Sequence, residues 1–331
     1  MKRIPETAKR WIDQWIDPAN RWLSVPCTVA ALLVLLVMVK SCQGIVYSHS
    51  DECRIYRLGY SIDEARSLIA ALSQQQIDSL IARQEHDTIA TALLNERYFI
   101  AGNFEYYLAL HKVDTTATLP DIIAVVNTGD FPDKKDKAAH CDTTKGYLML
   151  VNGLHYLDKH YKPDSLVKFT RDYCYENQRA VGPAVEAFVA MQHECKRQTG
   201  AHLMVNSAYR SYEDQMGTYK RNDKRYVALP GNSEHQTGLA IDATSLQHPE
   251  KWSFGKSEEG VWTREHCHEY GFIVRYPEKQ AKLLGYSYEP WHLRYVGKEM
   301  ARRIHDEGIT FDEYYAYYID NSGSLAESPK H

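Results

Sequence analysis

An uncharged apolar stretch near the N-terminus constrains the fold of this chain more than any other feature. Eighteen residues, from Trp22 to Val39, carry no charge, and the part from Val29 onward is almost wholly aliphatic. As a helix rising 1.5 Å per residue, this stretch is about 27 Å long, close to the thickness of a bilayer core. We therefore expect a single transmembrane anchor over residues 23–39.

The charges on either side of this stretch predict its orientation. Residues 1–22 contain five Lys and Arg residues, whereas only Lys40 follows closely on the other side. By the positive-inside rule, residues 1–22 form a cytoplasmic tail and the chain beyond residue 40 lies outside the cell membrane. A cleaved signal peptide, a lipoprotein modified at Cys42 and a buried core helix remain as alternatives, although no A-x-A cleavage site follows the stretch.

The overall composition is that of a folded protein. Hydrophobic residues make up 44% and charged residues 25%, which excludes a largely disordered chain and a polytopic membrane protein. The net charge of −4 provides no basic field for nucleic acid, so we expect no nucleic-acid partner. The seven cysteines form no CxxC pair, which argues against a zinc ribbon.

Helix signals follow a polar stalk over residues 40–60. Ser61 with Glu64, and Ser73 with Gln76, have the spacing of capping boxes, and apolar residues recur after them at helical intervals. These patterns predict a small helical module over residues 61–112. A Thr-rich segment with Pro120 then marks a boundary, after which a second domain is expected over residues 120–310 and a flexible tail over residues 321–331.

The second domain mixes helices with short strands. The pattern predicts a helix over 183–199, ended by Gly200, and another over 261–270, ended by Gly271. Strands are predicted over 122–127, 203–207, 239–243, 271–276 and 291–296. Long helices or loops connect these strands, with too few regular βαβ units for a Rossmann fold, so the sequence predicts an α+β domain.

Two segments carry residues suited to binding and activating a metal ion. His235 and Asp242 lie in the first segment, and Glu289 and His292 lie in the second. Imidazoles and carboxylates are the usual nitrogen and oxygen ligands of catalytic zinc. Because His235 and Asp242 are seven residues apart, a straight strand would place them on opposite faces. Gly238 permits a bend between them, which places His235 on a loop and Asp242 on the strand.

A similar argument separates the two residues of the second segment. Pro290 interrupts a regular strand, so Glu289 belongs to the loop and His292 to the strand. Three ligands, His235, Asp242 and His292, would hold one Zn²⁺ per chain and leave a fourth position for water. Bound zinc lowers the pKa of water to about 7. The remaining carboxylate, Glu289, is then free to accept a proton.

Four phrases together closely resemble the VanY-like zinc D-alanyl-D-alanine carboxypeptidases, a family within the superfamily of lysostaphin-type and hedgehog-like proteins. They occur in the family's order and span about residues 120–300. The phrases are SAYRS at 207–211, SEHQTGLAID at 233–242, GFIVRYP at 271–277 and GYSYEPWHLRYVG at 285–297. The resemblance implies a small antiparallel sheet with flanking helices that holds the zinc site.

The resemblance also assigns roles to individual residues. The family's zinc ligands correspond to His235, Asp242 and His292, and its catalytic base corresponds to Glu289. Arg210 matches the arginine that stabilises the scissile carbonyl as it becomes an oxyanion. The substrate-contacting positions are Ser233, Gln215, which matches a glutamine at the C-terminal end of the substrate, and Trp291.

The implied activity is a zinc D,D-carboxypeptidase, a metallopeptidase that removes the C-terminal D-alanine from peptidoglycan stem peptides. An L,D-carboxypeptidase that acts on tetrapeptide stems and a D,D-dipeptidase remain alternatives, because the motifs define the metal and the carbonyl but not the preceding residue. A non-catalytic cell-wall-binding protein is the alternative from another class. The expected location is the cell membrane, with the catalytic domain extracytoplasmic.

Overall fold

The computed structural model describes residues 21–129, 138–223, 227–279 and 287–320. The chain divides into two compact units, one ending at Leu94 and the other beginning at Asn95. The predicted cytoplasmic tail, except for its last two residues, and the predicted tail from residue 321 lie outside the described residues.

The first unit is helical. Both predicted capping boxes are confirmed, at Ser61 with Glu64 and at Ser73 with Gln76. Residues 40–60, predicted as a polar stalk, are largely helical and contribute Ile55 and Tyr60 to the buried core. The helices are α1 (Arg21–Ser48), α2 (Asp51–Tyr56), α3 (Ile62–Ala71), α4 (Gln74–Ala82) and α5 (Ala90–Leu93).

Helix α1 contains the predicted anchor. Its side chains are described over residues 29–41 and 47–48, where the large aliphatic side chains are 46–63% exposed. Among the described residues, no helix combines the length and apolar character that a membrane crossing requires.

The second unit contains a four-stranded antiparallel sheet, which confirms the α+β prediction. From one edge to the other, the sheet consists of Leu203–Ser207, Ala240–Ser245, His292–Tyr295 and Phe272–Val274, and two pairs of two-residue strands lie outside it. The strands are β1 (Ala139–His140), β2 (His155–Tyr156), β3 (Val167–Lys168), β4 (Arg179–Ala180), β5 (Leu203–Ser207), β6 (Ala240–Ser245), β7 (Phe272–Val274) and β8 (His292–Tyr295). The helices are α6 (Phe104–Val113), α7 (Leu119–Asn127), α8 (Gly182–Thr199), α9 (Tyr212–Arg221), α10 (Lys251–Lys256), α11 (Glu258–His266), α12 (Lys298–Glu307) and α13 (Phe311–Tyr315).

The main core lies between α8 and the sheet. Phe188 and Cys195 of α8 are fully buried in one cluster with Val205, Ile241 and Leu293 from the three adjacent strands β5, β6 and β8. Burial of such side chains stabilises the fold by about 1.5–3 kcal/mol each. The helix therefore fixes the back of the sheet and leaves the other side for the site.

The predicted strand at Ile122–Asn127 is wrong, because these residues belong to helix α7. Thr118 caps this helix and forms a capping box with Asp121, while Pro120 occupies its first turn. These signals lie just before the apolar run, in the segment that had been interpreted as a domain boundary. A short apolar run alone does not distinguish a buried strand from a buried helix.

The structural division also differs from the predicted limit of the helical module at residue 112. Helices α6 and α7 belong to the second unit. Within that unit, Tyr98 stacks on Tyr317 at 4.1 Å between ring centroids, and its hydroxyl donates to Glu307 at 2.6 Å. Residues 95–112 are therefore part of the same compact unit as the sheet.

Candidate metal centre and active site

The register of the sheet brings two of the predicted ligands together. Asp242 on β6 and His292 on β8 are directly opposed partners in the antiparallel ladder. Side chains opposed in this way lie on the same face, with Cβ atoms about 4.5–5.5 Å apart. As a result, Oδ1 of Asp242 lies 3.0 Å from Nδ1 of His292.

A left-handed glycine brings the third ligand to the same place. His235 lies on a 3₁₀ turn, Glu234–Thr237, which ends at Gly238 with φ +69° just before β6. A Cβ at Gly238 would lie only 3.0 Å from Leu166 Cδ2. This bend, which the sequence predicted, places His235 Nε2 3.4 Å from Asp242 Oδ1.

The donor set fits a zinc ion. One ligand atom from each of His235, Asp242 and His292 lies within 4.8 Å of the others, and all three residues are buried. Nδ1 of His235 lies 2.6 Å from the carbonyl oxygen of Ala208 and donates to it, which leaves the lone pair of Nε2 available to a metal ion. Nε2 of His292 lies 3.4 Å from Glu234 Oε2, so Nδ1, which faces Asp242 Oδ1, is the ring nitrogen placed to bind a metal together with Asp242. Such outer partners orient histidine ligands in metal sites.

The two imidazoles have opposite proton affinities before metal binding. Burial, reinforced by the charge of Arg210, lowers the pKa of His235 to about 4. Burial also disfavours the charged form of His292, but its contacts with Asp242 and Glu234 outweigh this effect and raise its pKa to about 9. A metal ion at this position would displace a proton from His292, because ligation requires neutral imidazole.

Lys251 is an unpredicted neighbour of the metal ligands. Its Nζ lies 2.7 Å from Asp242 Oδ2. Burial of Asp242 favours the neutral acid, yet the Lys251 ammonium and the imidazole of His235 hold the pKa of this carboxyl well below its usual range. Asp242 is therefore a charged ligand at neutral pH. No spacing pattern in the sequence pointed to Lys251.

Glu289 occupies the position expected of a general base. Its side chain is 13% exposed, and Oε2 lies 3.9 Å from Nδ1 of His292. The amide of His292 donates to the carbonyl oxygen of Glu289, which closes the turn that leads into β8. Burial raises the pKa of Glu289 to about 7. A carboxyl with this pKa can both accept and return a proton near neutral pH.

Arg210 follows a β-bulge at the end of β5. The β5–β6 register shifts between Val205 and Ser207, and such bulges commonly redirect side chains next to active sites. Nη1 of Arg210 lies 3.5 Å from Ser207 Oγ, and no described atom accepts a hydrogen bond from its buried Nε. A partly buried guanidinium with an unused Nε donor suits a carbonyl oxygen or a carboxylate.

These residues surround one cavity of about 720 Å³. Ser233 and Trp291, both predicted to bind substrate, lie in its lining. Gln215 is buried and is absent from the described lining; its Nε2 donates to the carbonyl oxygen of Ala228, a lining residue. Trp252, also in the lining, packs edge-to-face on Trp291 at 4.6 Å.

Glu234 is a buried carboxylate beside the candidate metal site to which the sequence assigned no role. It lies between two assigned residues, Ser233 and His235, and its side chain is completely buried. Two arginines, Arg275 and Arg294, contact its Oε1 at 2.8 and 2.7 Å. The sequence did contain one indication of this role. Arg275 and Arg294 lie within predicted strands, and a buried arginine requires an acidic partner.

Comparisons with known proteins agree with this geometry. The model of the VanY family, described as D-alanyl-D-alanine carboxypeptidase, matches residues 178–298. YodJ, a proposed carboxypeptidase of Bacillus subtilis (strain 168), is 34% identical over 195 residues, which cover 55% of this chain and 71% of YodJ. VanXYC of Enterococcus gallinarum, a bifunctional D-Ala-D-Ala dipeptidase and carboxypeptidase, is 33% identical over 192 residues, which cover 51% of this chain and 94% of VanXYC.

A solved structure is similar in fold as well as in sequence. The LD-carboxypeptidase LdcB is 35% identical with a TM-score of 0.51, and the match covers 55% of this chain and 91% of LdcB. The family match spans all three candidate metal ligands as well as Arg210 and Glu289. This protein therefore belongs to the VanY family of D-alanyl-D-alanine carboxypeptidases.

Proposed function

We propose that this protein is a zinc-dependent carboxypeptidase that hydrolyses the C-terminal D-alanine of peptidoglycan stem peptides. The observation that carries the proposal is the convergence of His235, Asp242 and His292 beside Glu289 on one cavity. A pure binding protein needs no general base, so the position and raised pKa of Glu289 favour an enzyme over a non-catalytic wall-binding protein.

The residues of the site can carry the reaction as follows. Bound zinc supplies Lewis acidity and lowers the pKa of water from 15.7 to about 7. Glu289 takes a proton from the water that attacks the last peptide carbonyl. Arg210 donates to the carbonyl oxygen as it gains negative charge. Glu289 then gives the proton to the leaving nitrogen as the C–N bond breaks, so free D-alanine departs and the carboxylate is restored.

An L,D-carboxypeptidase is the second candidate. The similarity to the LD-carboxypeptidase LdcB favours it, whereas the family model favours the D,D-carboxypeptidase. The same ligands, base and arginine serve both reactions. The two differ in the residue before the scissile bond, which is D-alanine in a pentapeptide stem and an L-centre of the third residue in a tetrapeptide stem.

One assay separates these activities. The zinc-loaded protein is incubated with a muramyl pentapeptide or with the corresponding tetrapeptide, and free D-alanine is followed. Release from the pentapeptide alone supports the D,D-carboxypeptidase, and release from the tetrapeptide alone supports the L,D-carboxypeptidase. A Glu289→Ala variant and a chelator should each abolish release, while release of intact D-Ala-D-Ala would identify a dipeptidase.

We also propose that one N-terminal helix holds the protein at the cell membrane, with the second unit outside. The charge asymmetry around residues 22–39 supports this location. The exposed aliphatic side chains of α1 over residues 29–39 support it as well, because nothing among the described residues covers them. An anchor there would keep the enzyme close to newly exported wall precursors.

A further inference from the structure

We propose that Glu234 is a positioning residue that orients His292 for metal binding, and that a buried ionic network reaching helix α13 holds Glu234 in place. The inference rests on the proposed zinc-carboxypeptidase function and extends it. Glu234 is among the residues around the cavity, but its side chain is completely buried, and its proposed role is exerted through the candidate ligand His292.

The two carboxylate oxygens of Glu234 have separate partners. Oε1 accepts from Arg275 Nε at 2.8 Å and from Arg294 Nη1 at 2.7 Å. Oε2 lies 3.4 Å from Nε2 of His292, on the side of the ring opposite to Nδ1, which faces Asp242 Oδ1 at 3.0 Å. Because a carboxylate only accepts, the imidazole nitrogen that faces it carries the proton. Nδ1 faces the carboxylate of Asp242 in the same way, so it also carries a proton in the zinc-free protein. A metal ion held by His292 and Asp242 would replace that proton, and Glu234 would then hold the remaining proton on Nε2.

Helix α13 completes the network through Asp312. Arg275 forms a two-pronged pair with this carboxylate, at 2.6 Å from Nη1 to Oδ2 and 3.2 Å from Nη2 to Oδ1. The side chains of Glu234, Arg275, Arg294 and Asp312 are at most 3% exposed. Two carboxylates therefore balance two guanidinium groups, which is the condition under which buried charges are tolerated.

The same network extends to the cavity wall. Nδ2 of Asn152 donates to Asp312 Oδ1 at 2.8 Å, and the carbonyl oxygen of Asn152 accepts from Nδ2 of Asn232 at 2.6 Å. Both asparagines line the cavity. Helix α13 thus supports a metal ligand and a part of the substrate-facing wall through one continuous set of hydrogen bonds.

Zinc affinity distinguishes a positioning role of Glu234 from a role limited to folding, because only a positioning role changes how tightly the folded protein binds zinc. Carboxylates behind metal-bound histidines typically change metal affinity about 10–100-fold when they are replaced. We therefore expect Glu234→Gln to lower the zinc affinity of the full-length protein by about 10–100-fold, measured without substrate by competition with a chromogenic chelator. The visible absorption of the Co²⁺-substituted variant should also shift, and kcat should fall more than KM rises.

Glu313 provides a matched control. Its carboxylate is also buried on α13, but it accepts from the amide of Thr310 and from the hydroxyl of Tyr317 rather than from the network. Glu313→Gln should lower the melting temperature while leaving zinc affinity within about twofold of the wild type. A Glu234→Gln protein that is folded and binds zinc as tightly as this control would overturn the proposal.

Asp312→Asn covers the case in which Glu234→Gln does not fold. This change retains the shape of the contact with Arg275 but removes the distal charge, so a several-fold loss of zinc affinity is expected. Wild-type affinity and an unchanged Co²⁺ spectrum in Asp312→Asn would reject the network. A wild-type protein that binds zinc tightly but releases no D-alanine would instead reject the proposed function and leave the role of Glu234 intact.

Discussion

At the scale of single residues, the site contains two histidines and two carboxylates whose surroundings give each member of a pair a different protonation state. His235 donates to a neutral backbone carbonyl, whereas His292 lies between two carboxylates, Asp242 and Glu234. Asp242 is paired with Lys251 and stays ionised, while the more isolated Glu289 titrates near neutral pH. The sequence showed which residue types are present. It could not show their environments, because these depend on contacts between residues far apart in the chain.

The two histidines should titrate far apart in the zinc-free protein. Because the folded-state pKa of His292 is raised to about 9, its ring should be charged at pH 7 and lose its proton only as the pH rises through about 9. His235, with a pKa lowered to about 4, should remain neutral. Ring ¹⁵N NMR shifts would measure both midpoints. Zinc should convert His292 to the neutral form, and two midpoints near 6.5 would contradict this account.

Arg210 should act mainly in the transition state. Arg210→Lys keeps the charge but loses the planar pair of donors, so kcat should fall about 10²–10³-fold, as when one oxyanion donor is removed. Zinc content should not change. Steady-state kinetics of D-alanine release would test this, with Arg302→Lys on the exposed face of α12 as the control. A rise in KM with unchanged kcat would instead show that Arg210 binds the substrate and the transition state equally well.

At the scale of elements, the sequence predicted the sheet well and the segment before it poorly. Strand β5 was predicted with its observed limits, and Gly200 and Gly271 end their helices in left-handed conformations as expected. These elements carry local signals. Helix α7 was mistaken for a strand because its apolar run is short and rich in β-branched residues. The two arginines that contact Glu234 are separated from it by 41 and 60 residues, so no local pattern could pair them with it.

Gly238 should be essential for placing His235. Gly238→Ala introduces left-handed strain and a Cβ 3.0 Å from Leu166 Cδ2, so we expect a loss of more than about 2 kcal/mol of stability together with weaker zinc binding. Gly200→Ala is the matched control, because it has a similar φ of +74° but no described atom within 4 Å. It should cost about 1 kcal/mol and spare zinc affinity. Thermal melts and chelator competition would distinguish the two changes.

At the scale of the whole molecule, the structural division assigns the complete candidate site to the unit that begins at Asn95. The sequence placed the start of this domain near residue 120, because a Thr-rich segment with Pro120 lies there. What the pattern could not reveal is the aromatic packing of residues 95–112, where Phe104 and Tyr107 are fully buried. The limits of a domain depend on such contacts rather than on periodicity.

Two truncations should therefore behave differently. A fragment over residues 95–331 keeps the site and the stacking of Tyr98 on Tyr317, so it should hydrolyse soluble stem peptides within about twofold of the full-length rate. A fragment over residues 120–331 loses Tyr98, Phe104 and Tyr107. Since truncating one buried aromatic side chain costs about 3–5 kcal/mol, this fragment should be less stable by at least that amount.

The same fragments test the location of the enzyme. If residues 23–39 anchor the chain, the full-length protein should sediment with membranes and resist extraction by high salt, whereas the 95–331 fragment should remain in the supernatant while retaining its activity. Salt extraction is the control, because it removes proteins held only by surface charge. Full-length protein in the supernatant would reject the anchor. A folded but inactive 95–331 fragment would instead show that the first unit contributes to catalysis.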